Sequence, residues 1–493
     1  MKISPTPPPS DSSTQARPRG NRGRSSRTDR LTTLWMLLAA ACAVATIATR
    51  GLIPQNLWTM IHLVTLGVLT NSIFQWSWYF ARALLHLPPG DHWSWRDNTR
   101  RILLFNAALV LLIISMWTGQ AIGTVAGATI IGGVAAWHGI ALVQAARKNL
   151  ASRFAVVIRF YWASAAFLVV TAIIAGCVTV AIFVPSAPQW LIEARDALTL
   201  AHALSAVVGW VGLTMGGTLV TLGPTMLRTR MDPRAVSFAI AALPVWIIGL
   251  SAATLSALLS LLPGVALGLL LVVAAVILGV FYPLISAARV KGPKEYGSWA
   301  SACGVIWLVI ALTSTAIRAW SATDPTTLRA TSITWIAIIG AGGLLQVLVG
   351  ALTYLMPVVI GGGPSVVRQG IAILEVLGMQ RLGIRNSALI VLSVLFLHEG
   401  GAESSLPLLP ILCWLAVIAT YCIDIVAFAR GGIVQARAAR EAAQRRSAPA
   451  AMSSQEAPTP RGPSLLSGGG KAATPPSSTL ENTTPPAQGD SDE

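Results

Sequence analysis

Few folds are open to a chain that carries twelve long apolar runs between residues 31 and 431, parted by short polar loops. The runs lie roughly at 32–50, 57–84, 101–118, 121–145, 157–184, 197–224, 236–260, 263–288, 299–319, 332–360, 384–398 and 405–429. A helix needs about twenty residues to cross the roughly 30 Å of a bilayer's hydrocarbon layer. Lipid offers the backbone no hydrogen-bond partner, so a spanning segment must satisfy itself, and a continuous apolar run does so as an α-helix. With 54% hydrophobic and only 11% charged residues over 493 positions, the chain has the composition of a membrane protein. The predicted fold is all-α: a polytopic membrane bundle of about 12 transmembrane helices over residues 31–431.

The loop charges test that count independently. With a basic amino-terminal tail on the cytoplasmic side, every loop after an even-numbered run faces the same way and should be rich in Arg and Lys. Those loops hold Arg96, Arg100 and Arg101; Arg147, Lys148, Arg153 and Arg159; Arg228, Arg230 and Arg234; Arg289, Lys291 and Lys294; and Arg368, Arg381 and Arg385. The opposite loops hold Arg50, Arg195, Arg318 and Arg329. Sixteen against four predicts an even number of helices, with both termini cytoplasmic.

Residues 1–30 and 432–493 are poor in large apolar side chains and are expected to be disordered cytoplasmic tails. The first run reads as a retained helix, because no small-residue cleavage site follows it. The net charge of +16 falls at the two ends and between runs, where it orients helices and meets anionic lipid. Membrane lipid is thus an expected partner and nucleic acid is not. Cys42, Cys177, Cys303, Cys413 and Cys422 lie within apolar runs and form no C-x-x-C pair, which excludes a disulfide framework or zinc site. Trp58, Trp93, Trp95, Trp117, Trp190, Trp299 and Trp320 fall at run ends, the headgroup level that suits an indole.

Polar residues inside the runs carry the functional signal. On run two, His62, Thr65, Leu69, Ser72, Trp76 and Tyr79 recur at spacings of three and four and share a face, with Asn71 and Gln75 beside it. That face must look into the bundle, to bond other helices or to line a cofactor or ion site. His62 and His202 each lie about five residues into runs two and six from the same outer side, about 8 Å deep at 1.5 Å per residue. Equal depth permits the two to meet, and neutral imidazoles from two helices are good ligands for haem iron or copper. His138 sits at another depth without an evident partner; His86 and His92 fall in a loop, and His398 with Glu399 at a run end. Asp424 is expected to pair with a nearby basic residue such as Arg430. Gly209, Gly212, Gly216 and Gly217 form a stripe on run six that serves close helix packing first and room for a flat macrocycle second. Gly217 to Pro224 and Gly350 to Pro357 share G-x-L-x-x-L-x-P, on runs six and ten. Runs two, six and ten are every fourth run, as three four-helix units about one axis would require.

The segments HLVTLGVLTNSIFQWSWYFARALL from His62, GWVGLTMGGTLVTLGPTMLRTRM from Gly209 and LLQVLVGALTYLMPVVIGGGP from Leu344 carry a family resemblance. They resemble the membrane-embedded part of actinobacterial copper-oxidase-like proteins, similar to NnrS-type haem and copper membrane proteins and, more distantly, to subunit I of haem-copper oxidases. The resemblance covers the twelve-run core. It implies a haem-copper-oxidase subunit I-like bundle of threefold pseudo-symmetry, with ligands on repeat-equivalent helices, as His62 and His202 would be. The chain departs from that pattern in places. His202-Ala-Leu-Ser-Ala206 stands where such relatives show an H-x-H-x-N-like run, Tyr79 where they often carry histidine, run seven lacks a vicinal histidine pair, and run ten offers Gln346. Oxygen reduction in the oxidase manner is therefore not expected.

The expected function is an integral membrane protein that binds haem b or copper, or both, through His62 and His202. Its role would be electron transfer, metal handling or resistance to nitrogen oxides, with a redox partner protein. Two other readings stay open: a small-solute transporter or channel lined by Asn71, Gln75 and Gln346, and a metal-free scaffold of a respiratory complex.

Overall fold

The structure, a computed structural model, describes residues 34–45 except 36 and 43, then 53–87, 92–147, 155–399 and 408–447. The expected tail at 1–30, and residues 448–493 of the tail expected at 432–493, lie outside the described residues. The chain divides into a unit Met1–Ala443, which holds the helical bundle, and a unit Gln444–Glu493.

Among the described residues every regular element is helical, and eleven helices are long and apolar enough to cross a membrane. The described positions between residues 34 and 45 are helical and belong to the first apolar run; they are called α1. The eleven are α2 (Asn56–Leu84), α3 (Arg96–Trp117), α4 (Ala121–Arg147), α5 (Ala155–Phe183), α6 (Arg195–Met226) and α7 (Ala235–Leu258), then α8 (Leu262–Val290), α9 (Tyr296–Ser321), α10 (Trp335–Ile360), α11 (Pro364–Leu397) and α12 (Leu408–Arg445). Each falls on a predicted run, so apolar length alone located the spans. Two ends differ. The eleventh run, read as 384–398, begins a helix earlier, because the amphipathic stretch Pro364–Leu374 is itself helical and joins the rest through a turn. The twelfth, read as ending at 429, continues to Ser447. Ala, Arg and Gln dominate that extension and favour a helix, and Gln435 is buried, donating from Nε2 to the Pro357 carbonyl at 2.6 Å. Residues 432–447 of the expected tail are thus helical.

The helices most enclosed by protein are α6 and α10, with 72% and 61% of their apolar window buried, against 33% for α5 and α9. Helices α6 and α10 thus belong to the inner layer, and α5 and α9 meet lipid. The glycines of α6 set how closely its neighbours approach. A side chain at Gly209 or Gly217 would stand 2.6 Å from the Cβ of Phe167 or Phe160 on α5, and one at Gly216 3.0 Å from the Trp246 ring on α7. The stripe is filled by aromatic side chains, which settles it as a packing device. Gly350 does the same on α10, 2.6 Å from the Gly297 carbonyl of α9.

One polar arrangement occurs twice. Trp35 Nε1 donates to Asn106 Oδ1 at 2.7 Å, while Asn106 Nδ2 donates to Asn71 Oδ1 and to the Ile102 carbonyl one turn back. Eight helices later, Trp307 Nε1 donates to Asn386 Oδ1 at 2.8 Å, and Asn386 Nδ2 donates to Gln346 Oε1 and to the Leu382 carbonyl. The first hub ties α1, α2 and α3; the second ties α9, α10 and α11. In lipid an amide needs such partners, so each hub fixes the register of three helices.

Candidate metal site

The regular hydrogen-bond ladder of α2, α6 and α10 changes at matching places. α2 is π-helical over Leu63–Thr70, α6 over Ser205–Gly212 and α10 over Ile339–Leu344; α8 has a shorter stretch at Ile277–Phe281. A π turn inserts a residue and rotates the earlier part of a helix relative to the later part, a feature frequent at functional sites. On α2 it begins directly after His62 and on α6 three residues after His202.

The expected meeting of the two histidines is found. Their ring centres lie 6.3 Å apart, with planes 24° from parallel, and both rings are half-buried. Each is held through Nδ1: that of His62 lies 2.8 Å from the Trp58 carbonyl oxygen, and that of His202 3.2 Å from the Thr171 carbonyl oxygen on α5. A carbonyl only accepts, so Nδ1 must carry the hydrogen in both, which leaves each Nε2 a bare lone pair in the neutral ring. Neither Nε2 has a hydrogen-bond partner among the described residues. Trp58 stacks on His62 with centres 4.0 Å apart, fixing its plane. Trp58 was expected only as a headgroup anchor; its position four residues before a histidine is the signal that could have revealed the stack.

Two imidazoles fixed through Nδ1 with Nε2 free form the donor set that ligating histidines present, an outer hydrogen bond setting tautomer and orientation. Among the described residues no three His, Cys, Asp or Glu side chains gather as a metal cage. Two imidazoles held in this way would serve a metal that takes only two protein ligands, as haem iron or copper can. Below the pair, Trp210 Nε1 donates to Thr70 Oγ1 at 2.9 Å and joins α6 to α2. Phe74 packs 5.3 Å from Trp210.

The other polar residues that the sequence singles out have partners of their own. Thr65, Ser72 and Asn71 donate to carbonyls of the preceding turn, and Asn71 also shares the Asn106 hub. Gln346 belongs to the Asn386 hub. His138 approaches Ser77 on α2, its Nε2 2.9 Å from Oγ. The side chains of His92, His398 and Glu399 lie outside the described ones.

Asp424 does not pair with Arg430. It receives Arg381 and Arg385, both from α11 and both buried, together with the Tyr296 hydroxyl at 2.9 Å. Arg385 lies over the Tyr421 ring at 3.8 Å, and Arg381 over that of Tyr296 at 4.4 Å. The sequence pattern puts these two arginines, and Arg101 on α3, in loops; all three lie inside the bundle. The correction follows from helix length: α3 and α11 start before their apolar runs do, which draws flanking cations inward.

No protein-family model matches this chain, and no curated protein matches it.

Proposed function

We propose that the protein binds haem b or copper between His62 and His202 and serves electron transfer or metal handling in the membrane. What carries the reading is the pair of Nδ1-anchored imidazoles, 6.3 Å apart with both Nε2 atoms unpartnered. The bound group would supply one-electron redox chemistry. The chain's own part is to present two lone pairs from α2 and α6, hold the rings through Trp58 and Thr171, and exclude water with apolar walls. Resistance to nitrogen oxides belongs to the same reading, as does a redox partner protein. So does kinship to the haem-copper oxidase-like proteins, with the two Asn hubs and the π turns of α2, α6 and α10 supporting three related four-helix units.

The family resemblance implies a bacterial inner membrane, and the loop charges favour both termini on its cytoplasmic side. A fluorescent reporter fused at the carboxyl terminus should glow and a periplasm-dependent reporter there should stay silent; the reverse refutes the orientation.

The transporter reading loses support because Asn71 and Gln346 are committed to the hubs. The purified protein should show a Soret band or stoichiometric copper by elemental analysis, and His62→Ala with His202→Ala should abolish it. Protein that has neither signal, or variants that keep it unchanged, would sink the proposal.

A further inference from the structure

A buried cation with no ion pair among the described residues stands apart from the histidine pair. Arg101 on α3 is fully buried, yet its Nε and Nη1 have no hydrogen-bond partner; Nη2 alone donates, to Asn98 at 3.2 Å. Its guanidinium lies 4.7 Å from the Trp78 ring centre on α2 and 5.8 Å from that of Trp137 on α4. Trp78 Nε1 is a second buried donor with no acceptor. His138 is beside it, ring centres 6.5 Å apart, and its Nδ1 is also unpartnered. The Ser77 hydroxyl donates its one hydrogen to the Ile73 carbonyl, so His138 Nε2 donates to Ser77. The unmatched donors of Arg101 and Trp78 therefore gather where three helices meet.

The second Asn hub supplies an internal comparison. Arg101 precedes Asn106 by five residues and Arg381 precedes Asn386 by five, so the two arginines occupy like positions in like surroundings. Arg381 is met by Asp424 of α12 and by the Leu374 carbonyl. Among the described residues Arg101 forms no ion pair; Asp97, one turn before it, acts on Arg101 only at a distance and is paired with Arg100 at 3.3 Å. A buried charge left alone is among the costliest things a protein holds, and two indole faces offset only part of that cost.

We propose that Arg101 holds a phosphate-type oxyanion, which takes hydrogen bonds from Arg101 and Trp78 and stands where Asp424 stands beside Arg381. An acceptor-only group with several oxygens matches a cluster rich in unpaired donors. Trp137, 37% exposed, is the wall past which it enters. The phosphate comes from a lipid headgroup or from solution, and the two sources separate in one experiment.

The full-length protein in phosphate-free maltoside detergent and low-salt buffer is titrated with inorganic phosphate, or with phosphatidic acid in mixed micelles, and its unfolding midpoint is followed. The wild type should gain a saturable rise of about 2–4 °C. A response to both probes assigns a free anion, and a response to phosphatidic acid alone assigns a headgroup. Arg101→Gln should lose the response. His138→Asp should lose it too while staying folded, because it gives Arg101 a carboxylate of its own. No saturable rise in the wild type, or an undiminished rise in both variants, overturns the proposal.

Discussion

At the scale of single residues, burial decides what a polar group must do. Asp424 neutralises one of two buried arginines, and Tyr296 and Thr420 complete their hydrogen bonds. Asp424→Asn leaves both guanidinium groups short of an anion and should destabilise the protein by about 3–5 kcal/mol, while replacing all three charges with apolar residues should cost far less. Thermal unfolding of the two variants in one detergent makes the comparison; equal losses would show that the charges do not act as a unit. His62 and His202 obey the same logic in a different form. Each ring has one nitrogen satisfied by a carbonyl, and the other has no hydrogen-bond partner among the described residues.

At the scale of elements, helix ends and breaks place the side chains. The helix running into α10 starts at Pro325, with Asp324 as its cap: the carboxylate accepts from the Thr327 N–H at 2.9 Å and from the Thr327 and Thr323 hydroxyls. Those bonds, the Thr327 N–H foremost, hold the Asp324 carboxyl down at about 2. Its contribution to stability is complete above the ordinary carboxylate range and is lost as pH falls through about 2. Asp324→Ala should therefore melt below the wild type at pH 5, with the gap closing at pH 2; a gap independent of pH would discount the cap. The π turns act over longer range. By rotating α2 and α6 just below His62 and His202, they set the faces on which the two rings meet, and periodicity taken from a regular helix does not report them.

For the molecule as a whole, the repeated Asn hub implies that stability is built from like, separate parts. Asn106→Leu and Asn386→Leu each leave a buried indole N–H and an amide unpaired and should each cost about 1–3 kcal/mol. Because the hubs share no residue, the double variant should lose about the sum of the two, judged by unfolding midpoints. A double loss well short of that sum would mean the hubs are coupled.

Much of this was legible in the chain itself. Apolar run length fixed where the helices lie, because lipid leaves a backbone no alternative, and it placed His62 and His202 at one depth. The amino-acid order alone also marked the α6 glycines as packing sites. It did not show that Arg101, Arg381 and Arg385 are interior, that Asp424 serves Arg381 and Arg385, or that Asn106 and Asn386 are hubs, since each pairing joins residues far apart in sequence. Nor did it show that both histidines spend Nδ1 on a carbonyl and keep Nε2 free. Hydropathy is a sum over neighbours in the chain, so the sequence determined the spans; hydrogen bonding and charge pairing depend on neighbours in space, and only the tertiary structure decided those.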